Sequence, residues 1–191
     1  MRTESTVSTF ASLSVLEPEN AGFIGGLLVL DRSGRPLEFH CTTPVRATRA
    51  QQILYGPTLR PYLFAEQIGD TLLSRMKASP EVLFVDQPEI LELRETTTFP
   101  IVCVLPRGDA LPPRDTASRD TASRDTASGD TVARLDLLEF TLGRNRLAVT
   151  TARRDDIAIV SESLREVAGW CDFSEPFQRI RDAVVEACRA A

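Results

Sequence analysis

"FIGGLLVLDRSGRPLEFHCTT", residues 23–43, is the stretch whose reading decides the fold. Phe23 to Leu30 is almost unbroken apolar sequence, the pattern of a strand covered on both faces. Asp31-Arg32-Ser33-Gly34 then supplies turn chemistry, and Pro36 to Thr43 reads as a second strand, so the two segments form an antiparallel hairpin. Side chains alternate along a strand. Leu37, Phe39 and Cys41 therefore share one face, and Glu38, His40 and Thr42 share the other. His40, the only histidine of the chain, points away from Cys41, which excludes a Cys–His nucleophile pair built from these two neighbours. The expected state of His40 is a sheet histidine satisfied by a cross-strand partner on Glu38's side of the ladder.

Upstream, Ser8 to Leu16 alternates loosely and is expected as a first strand, which completes an antiparallel meander. Downstream come helix signals. Thr48-Arg49-Ala50-Gln51 has the form of a capping box, and Gly56-Pro57 ends the short helix it starts. Thr58 is expected to cap a longer helix running to about Lys77, with Leu59, Leu63, Ile68, Leu72 and Met76 near helical spacing. Glu81 to Val85 reads as a buried strand ending at Asp86, Pro88 to Arg94 as a brief helix, and Phe99 to Leu105 as a further strand. The connection is long enough for a parallel, right-handed βαβ crossover. Arg134 to Leu142 and Leu147 to Thr151 flank Gly143-Arg144-Asn145-Arg146 as a hairpin. Asp155 or Asp156 is expected to cap a helix with Ile157, Val160, Leu164 and Val167 on one stripe, stopped by Gly169. Asp172-Phe173-Ser174-Glu175 resembles a capping box before a last helix carrying Phe177, Ile180, Val184 and Cys188.

The fold class that follows is α/β, with α+β as the alternative: a mixed sheet with an antiparallel N-terminal meander, a parallel βαβ unit and helices packed on the sheet. The 191 residues are expected to form a single domain, 1–191, able to bury about 70% of its unfolded surface. Residues 106–131 contain RDTAS repeats with no apolar face, and are expected as a flexible low-complexity insertion. Cys41, Cys103, Cys171 and Cys188 are scattered without C-x-x-C spacing, so no metal cluster is suggested and the thiols of Cys41 and Cys103 are expected buried and free. With no leader pattern and no long apolar run, a cytoplasmic protein with no membrane partner is expected. Net charge is −5, which argues against a nucleic-acid binder over the whole surface while leaving room for a local basic patch. Lys77 is the only lysine among 22 basic residues, a bias that a high-GC genome explains.

Two constellations carry chemistry. Residues 43–65, TPVRATRAQQILYGPTLRPYLFA, hold Arg46, Arg49, Arg60, Tyr55 and Tyr62 and no acidic residue. Arginine forks and stacking tyrosines suit phosphate or nucleic acid, so Arg46, Arg49, Arg60 and Tyr55 are the candidate anion-binding residues. The second constellation is Asp86, at the carboxyl end of a strand, with Glu66: two carboxylates that could share Mg²⁺.

The order of elements resembles that of ribonuclease-H-like folds. Within them, Tyr55-x-Pro57, then Phe64-x-Glu66, then Val85-Asp86 resembles the pattern of endonuclease V over residues 8–105. That resemblance implies a nuclease working through carboxylate-bound metal, with Asp86 and Glu66 as catalytic candidates and Mg as cofactor. The family also needs an aspartate in the first strand, where Ser8 to Leu16 has no acid and Glu17 lies just beyond; by the resemblance the chain is an inactive relative. GRPLEFHCTTPVR with YGPTLRPYLFAEQIG also resembles an uncharacterised family of bacterial hypothetical proteins, which implies no chemistry. No P-loop, G-x-G-x-x-G or G-x-S-x-G is present. The expectation is therefore a non-catalytic interaction or polyanion-binding protein, partnered by protein or nucleic acid and needing no cofactor. The alternative is a Mg-dependent nuclease or other phosphoryl-transfer enzyme.

Overall fold

The computed structural model describes residues 8–18, 22–106 and 136–190. Its seven strands are β1 (Thr9–Leu16), β2 (Ile24–Asp31), β3 (Pro36–Cys41), β4 (Val82–Val85), β5 (Ile101–Leu105), β6 (Leu137–Leu142) and β7 (Asn145–Thr150). They form one sheet in the order β3-β2-β1-β4-β5-β7-β6. β1, β4 and β5 run parallel, and β2, β3, β6 and β7 join their neighbours antiparallel. The run β3-β2-β1-β4-β5, with an antiparallel meander followed by parallel strands, is the ribonuclease-H-like order, and the fold is α/β with a mixed sheet as expected.

Alternation within each strand divides the core into two layers. Phe10, Leu28, Phe84 and Val102 face one side, beneath α4 (Asp156–Ser163), the turns after it and α5 (Glu175–Ala190). Leu13, Leu27, Leu83 and Ile101 face the other, beneath the helices of residues 59–75 and a 3₁₀ helix, Pro88–Glu95. β2 is apolar on both faces because both are covered.

Local chemistry explains the helices. α1 (Arg49–Tyr55) opens with the expected capping box: Thr48 Oγ1 accepts from Gln51 N–H, and Gln51 Oε1 accepts from Thr48 N–H. The stretch expected as one long helix from Thr58 is helical to Arg75, but in three pieces. α2 (Leu59–Pro61) leads into a π-helical segment, Tyr62–Gly69, and then α3 (Asp70–Arg75). In the widened segment Asp70 N–H reaches Ala65 O, five residues back, and the turn brings Leu63 and Ile68, also five apart, into the same core.

Several local expectations are corrected. Thr58 caps nothing with its side chain; its hydroxyl donates to Tyr55 O at 2.9 Å. Asp155 stands at the N-cap position of α4 but makes no side-chain capping bond, and Asp156 is buried and paired with Arg94 at 2.7 Å. α4 ends at Ser163, and turns rather than helix run to Trp170, so Gly169 is not its stop. Asp172 does hold the start of α5, accepting from Ser174 N–H at 3.0 Å, while Glu175 turns to Arg179 at 2.7 Å instead of closing a box. The crossover between β4 and β5 is 3₁₀ rather than α-helical. The β6–β7 turn is Gly143-Arg144, with Asn145 already in β7 opposite Leu142. Cys103 is buried as expected, but Cys41 and Cys188 are exposed. Cys41 lies on the edge strand β3, whose outer side is paired with no strand among the described residues. The repeat insertion of 106–131 lies outside the described residues apart from Pro106. Among the described residues no helix is long and apolar enough to cross a membrane.

Candidate functional site

The parallel register of β1 and β4 pairs Ser12 with Phe84 and Leu13 with Val85, which brings Ser14 beside Asp86 just past the end of β4. Ser14 Oγ donates to Asp86 Oδ2 at 2.8 Å, and Arg181 of α5 approaches the same oxygen at 3.3 Å. Gln87 continues the ladder with its side chain, donating to Val15 O at 2.6 Å and accepting from Val15 N–H at 3.0 Å. These groups, with Leu16, Glu17 and Val185, line a cleft of about 340 Å³ at the carboxyl ends of the two strands, where open α/β sheets place ligands. Burial pushes the Asp86 carboxyl above the usual aspartate range, against the pull of Ser14 and Arg181. Its Oδ1 is buried with no hydrogen-bond partner.

Glu66 sits elsewhere. It projects from the π-helical segment into a cleft of about 410 Å³ on the opposite layer, with Asp70, Glu92 and Glu95. There Glu92 is pushed up by burial and by the charge of Glu66. Asp86 and Glu66 thus line separate clefts, and the structure does not bring them together.

The fold resemblance implies Mg²⁺ held by carboxylates. The groups bonded to Asp86 do not fit that ion: they are a hydroxyl and a guanidinium, Glu17 is the one other carboxylate in the cleft lining, and Mg²⁺ needs several oxygen ligands at short, regular distances. Among the described residues no cluster of three or more His, Cys, Asp or Glu is placed to hold a metal.

The arginine-rich candidates lie around α1. Arg46 and Arg49 are exposed; Arg49 donates to Gln52 at 3.3 Å. α1 buries no residue, and Ile53 and Leu54 are 67% and 81% exposed. Tyr55 stacks on Tyr62 with ring centroids 4.2 Å apart, and the Tyr62 hydroxyl holds that of Tyr55 above its ordinary pKa. Tyr62 in turn accepts from Gln67 at 2.9 Å. Arg60 is used internally: Nε pairs with Glu89 at 3.1 Å, and its guanidinium lies 4.8 Å above the Phe64 ring. Arg46 and Arg49 are thus exposed at the surface, Tyr55 is half-buried against Tyr62, and Arg60 is paired with Glu89.

His40 and Cys41 lie on opposite faces of β3 as expected, but the partner of His40 is Glu38 of its own strand, with Nε2 2.9 Å from Oε2, rather than a cross-strand group. Ser14, Gln87 and Arg181 are neighbours of Asp86 in this cleft that sequence reasoning missed. Ser12 and Ser14, two apart in an apolar strand, were a legible sign of a polar strip on one face. Arg181 gave no sign, since its partner depends on where α5 docks.

No family model and no curated protein matches this chain. Solved structures similar to it include that of human ENDOV, 15% identical, covering 97% of this chain and 86% of that one with a TM-score of 0.45. Endonuclease V of Ciona intestinalis, in complex with a 23mer DNA containing an inosine followed by a ribo-adenosine, is 11% identical; the match covers 84% of this chain and 78% of that one, with a TM-score of 0.44. These are structural neighbours at low identity, and the roles of Asp86 and of the α1 surface rest on the residues themselves.

Proposed function

We propose that this chain is a non-catalytic α/β protein that binds a polyanionic partner, nucleic acid first, through the surface around α1. The observation that carries the reading is a helix that buries none of its residues and sits among Arg46, Arg49 and Tyr55, in a segment without a single acid. Arginine matches phosphate by its planar fork, and the tyrosine offers a stacking face. The negative overall charge confines such binding to this patch. The test is fluorescence anisotropy with single-stranded DNA and RNA and with heparin. The double variant Arg46→Glu/Arg49→Glu is expected to weaken binding by about tenfold or more and to flatten its salt dependence. Equal affinity in the two proteins removes the reading.

The strand order supports a second reading, a Mg²⁺-dependent nuclease, because it puts Asp86 at the carboxyl end of an inner strand. Under it, nucleic acid is cut when Mg²⁺ is added, and Asp86→Asn abolishes the cut. The Ser14 and Arg181 contacts of Asp86 favour the first reading.

A further inference from the structure

The cleft at the ends of β1 and β4 already contains a cation. We infer that Arg181 is the resident counter-ion of Asp86, filling at these strand ends the role of a divalent metal, and that the cleft is thereby closed to one. Oδ2 takes the Ser14 hydroxyl at 2.8 Å and the Arg181 guanidinium at 3.3 Å, while Oδ1 is buried and has no hydrogen-bond partner. A dication approaching Oδ2 would meet the guanidinium at close range in a half-buried site, where like charges repel strongly. On the β1 side the nearest group is the Ser14 hydroxyl, a neutral and weaker ligand than a carboxylate. Nor is Arg181 free to swing off with its helix. Its neighbours Ile180 and Val184 are fully buried, packed where a Cβ on Gly26 would stand 2.4 Å from Ile180 and 3.1 Å from Val184.

The inference rests on the non-catalytic half of the proposed function and not on the α1 surface. It is tested by Mn²⁺ uptake, followed by electron paramagnetic resonance on the full chain. The unaltered chain is expected to show no uptake that Asp86→Asn removes. Ser14→Asp/Arg181→Gln, which sets two carboxylates side by side and removes the guanidinium, is expected to bind Mn²⁺ at least ~tenfold more tightly, with the gain lost on adding Asp86→Asn. Asp86-dependent uptake by the unaltered chain overturns the inference even when no nucleic acid is cut, which separates its failure from that of the non-catalytic reading. A folded double variant that gains nothing also overturns it. Should Ser14→Asp prevent folding, carbon-13 titration of the Asp86 carboxyl decides: it is expected to titrate at higher pH in Arg181→Gln than in the unaltered chain, and coincident curves overturn the inference.

Discussion

Glu38 shows how much one side chain can fasten. From the edge strand it accepts from Ala78 N–H at 2.8 Å, from Lys77 N–H at 3.0 Å and from His40 at 2.9 Å, so it ties β3 to the chain that follows α3. The His40 contact, and after it the two backbone donors, hold its carboxyl below the ordinary glutamate range, with burial opposing them. The folded state therefore binds its proton less readily than the unfolded chain. Its stabilisation is complete above the ordinary glutamate value and is lost as pH falls through the lowered one. Glu38→Gln is expected to cost about 1 kcal/mol at neutral pH, at the low end for charged hydrogen bonds because solvent reaches the pair, and to blunt the loss of stability in acid. Urea unfolding at a series of pH values checks both; parallel curves for the two proteins would refute the assignment. The face that His40 shares with Glu38 was readable from alternation alone, since i and i+2 lie on one side. The Lys77 and Ala78 contacts were not, because nothing local announces which later segment crosses an edge strand.

Among the elements, β2 explains how helices can lie so close to the sheet. Gly25 and Gly26 are successive residues and so face opposite layers. A Cβ on Gly25 would stand 2.2 Å from Ile68, and one on Gly26 would stand 2.4 Å from Ile180. The pair is thus a contact point for a helix on each side, with no cofactor loop involved. Gly25→Ala and Gly26→Ala are each expected to destabilise by about 1–3 kcal/mol, read from the urea midpoint; a neutral effect at either position would show that its helix can retreat. In sequence the two glycines belong to no nucleotide-binding motif, and only the packing gives them meaning. The strands themselves were legible because apolar runs bounded by turn residues leave few alternatives. The helical half was less so. Leu63 and Ile68 fit a helix only with widened turns, and the five-residue spacing looked like imperfect α periodicity. Asp156 had the composition of a cap but serves Arg94, a partner 62 residues away that no local pattern could supply.

At the scale of the whole molecule, the sheet separates two surfaces of different character. α5 seals one layer and delivers Arg181 to Asp86, while the other layer carries the acidic cleft of Glu66 and, beyond it, the α1 surface. Asp86 was legible as a residue at a strand end, and the arginine-rich segment as a basic patch. What could not be read was that the two carboxylates face different clefts, since that follows from which layer each element joins. The outermost strand has a further consequence. β3 exposes Leu37 and Phe39, yet it begins with Pro36, which has no N–H to offer, and the pairing shifts between Val29 and Leu30 opposite it. A second copy laid along this rim would find a missing donor and a kinked rail where it needs an even row, so growth by lateral stacking is blocked at its first rung. Pro36→Val is expected to raise light scattering in concentrated, gently heated samples, and unchanged scattering would show that this guard is not what keeps the molecules apart.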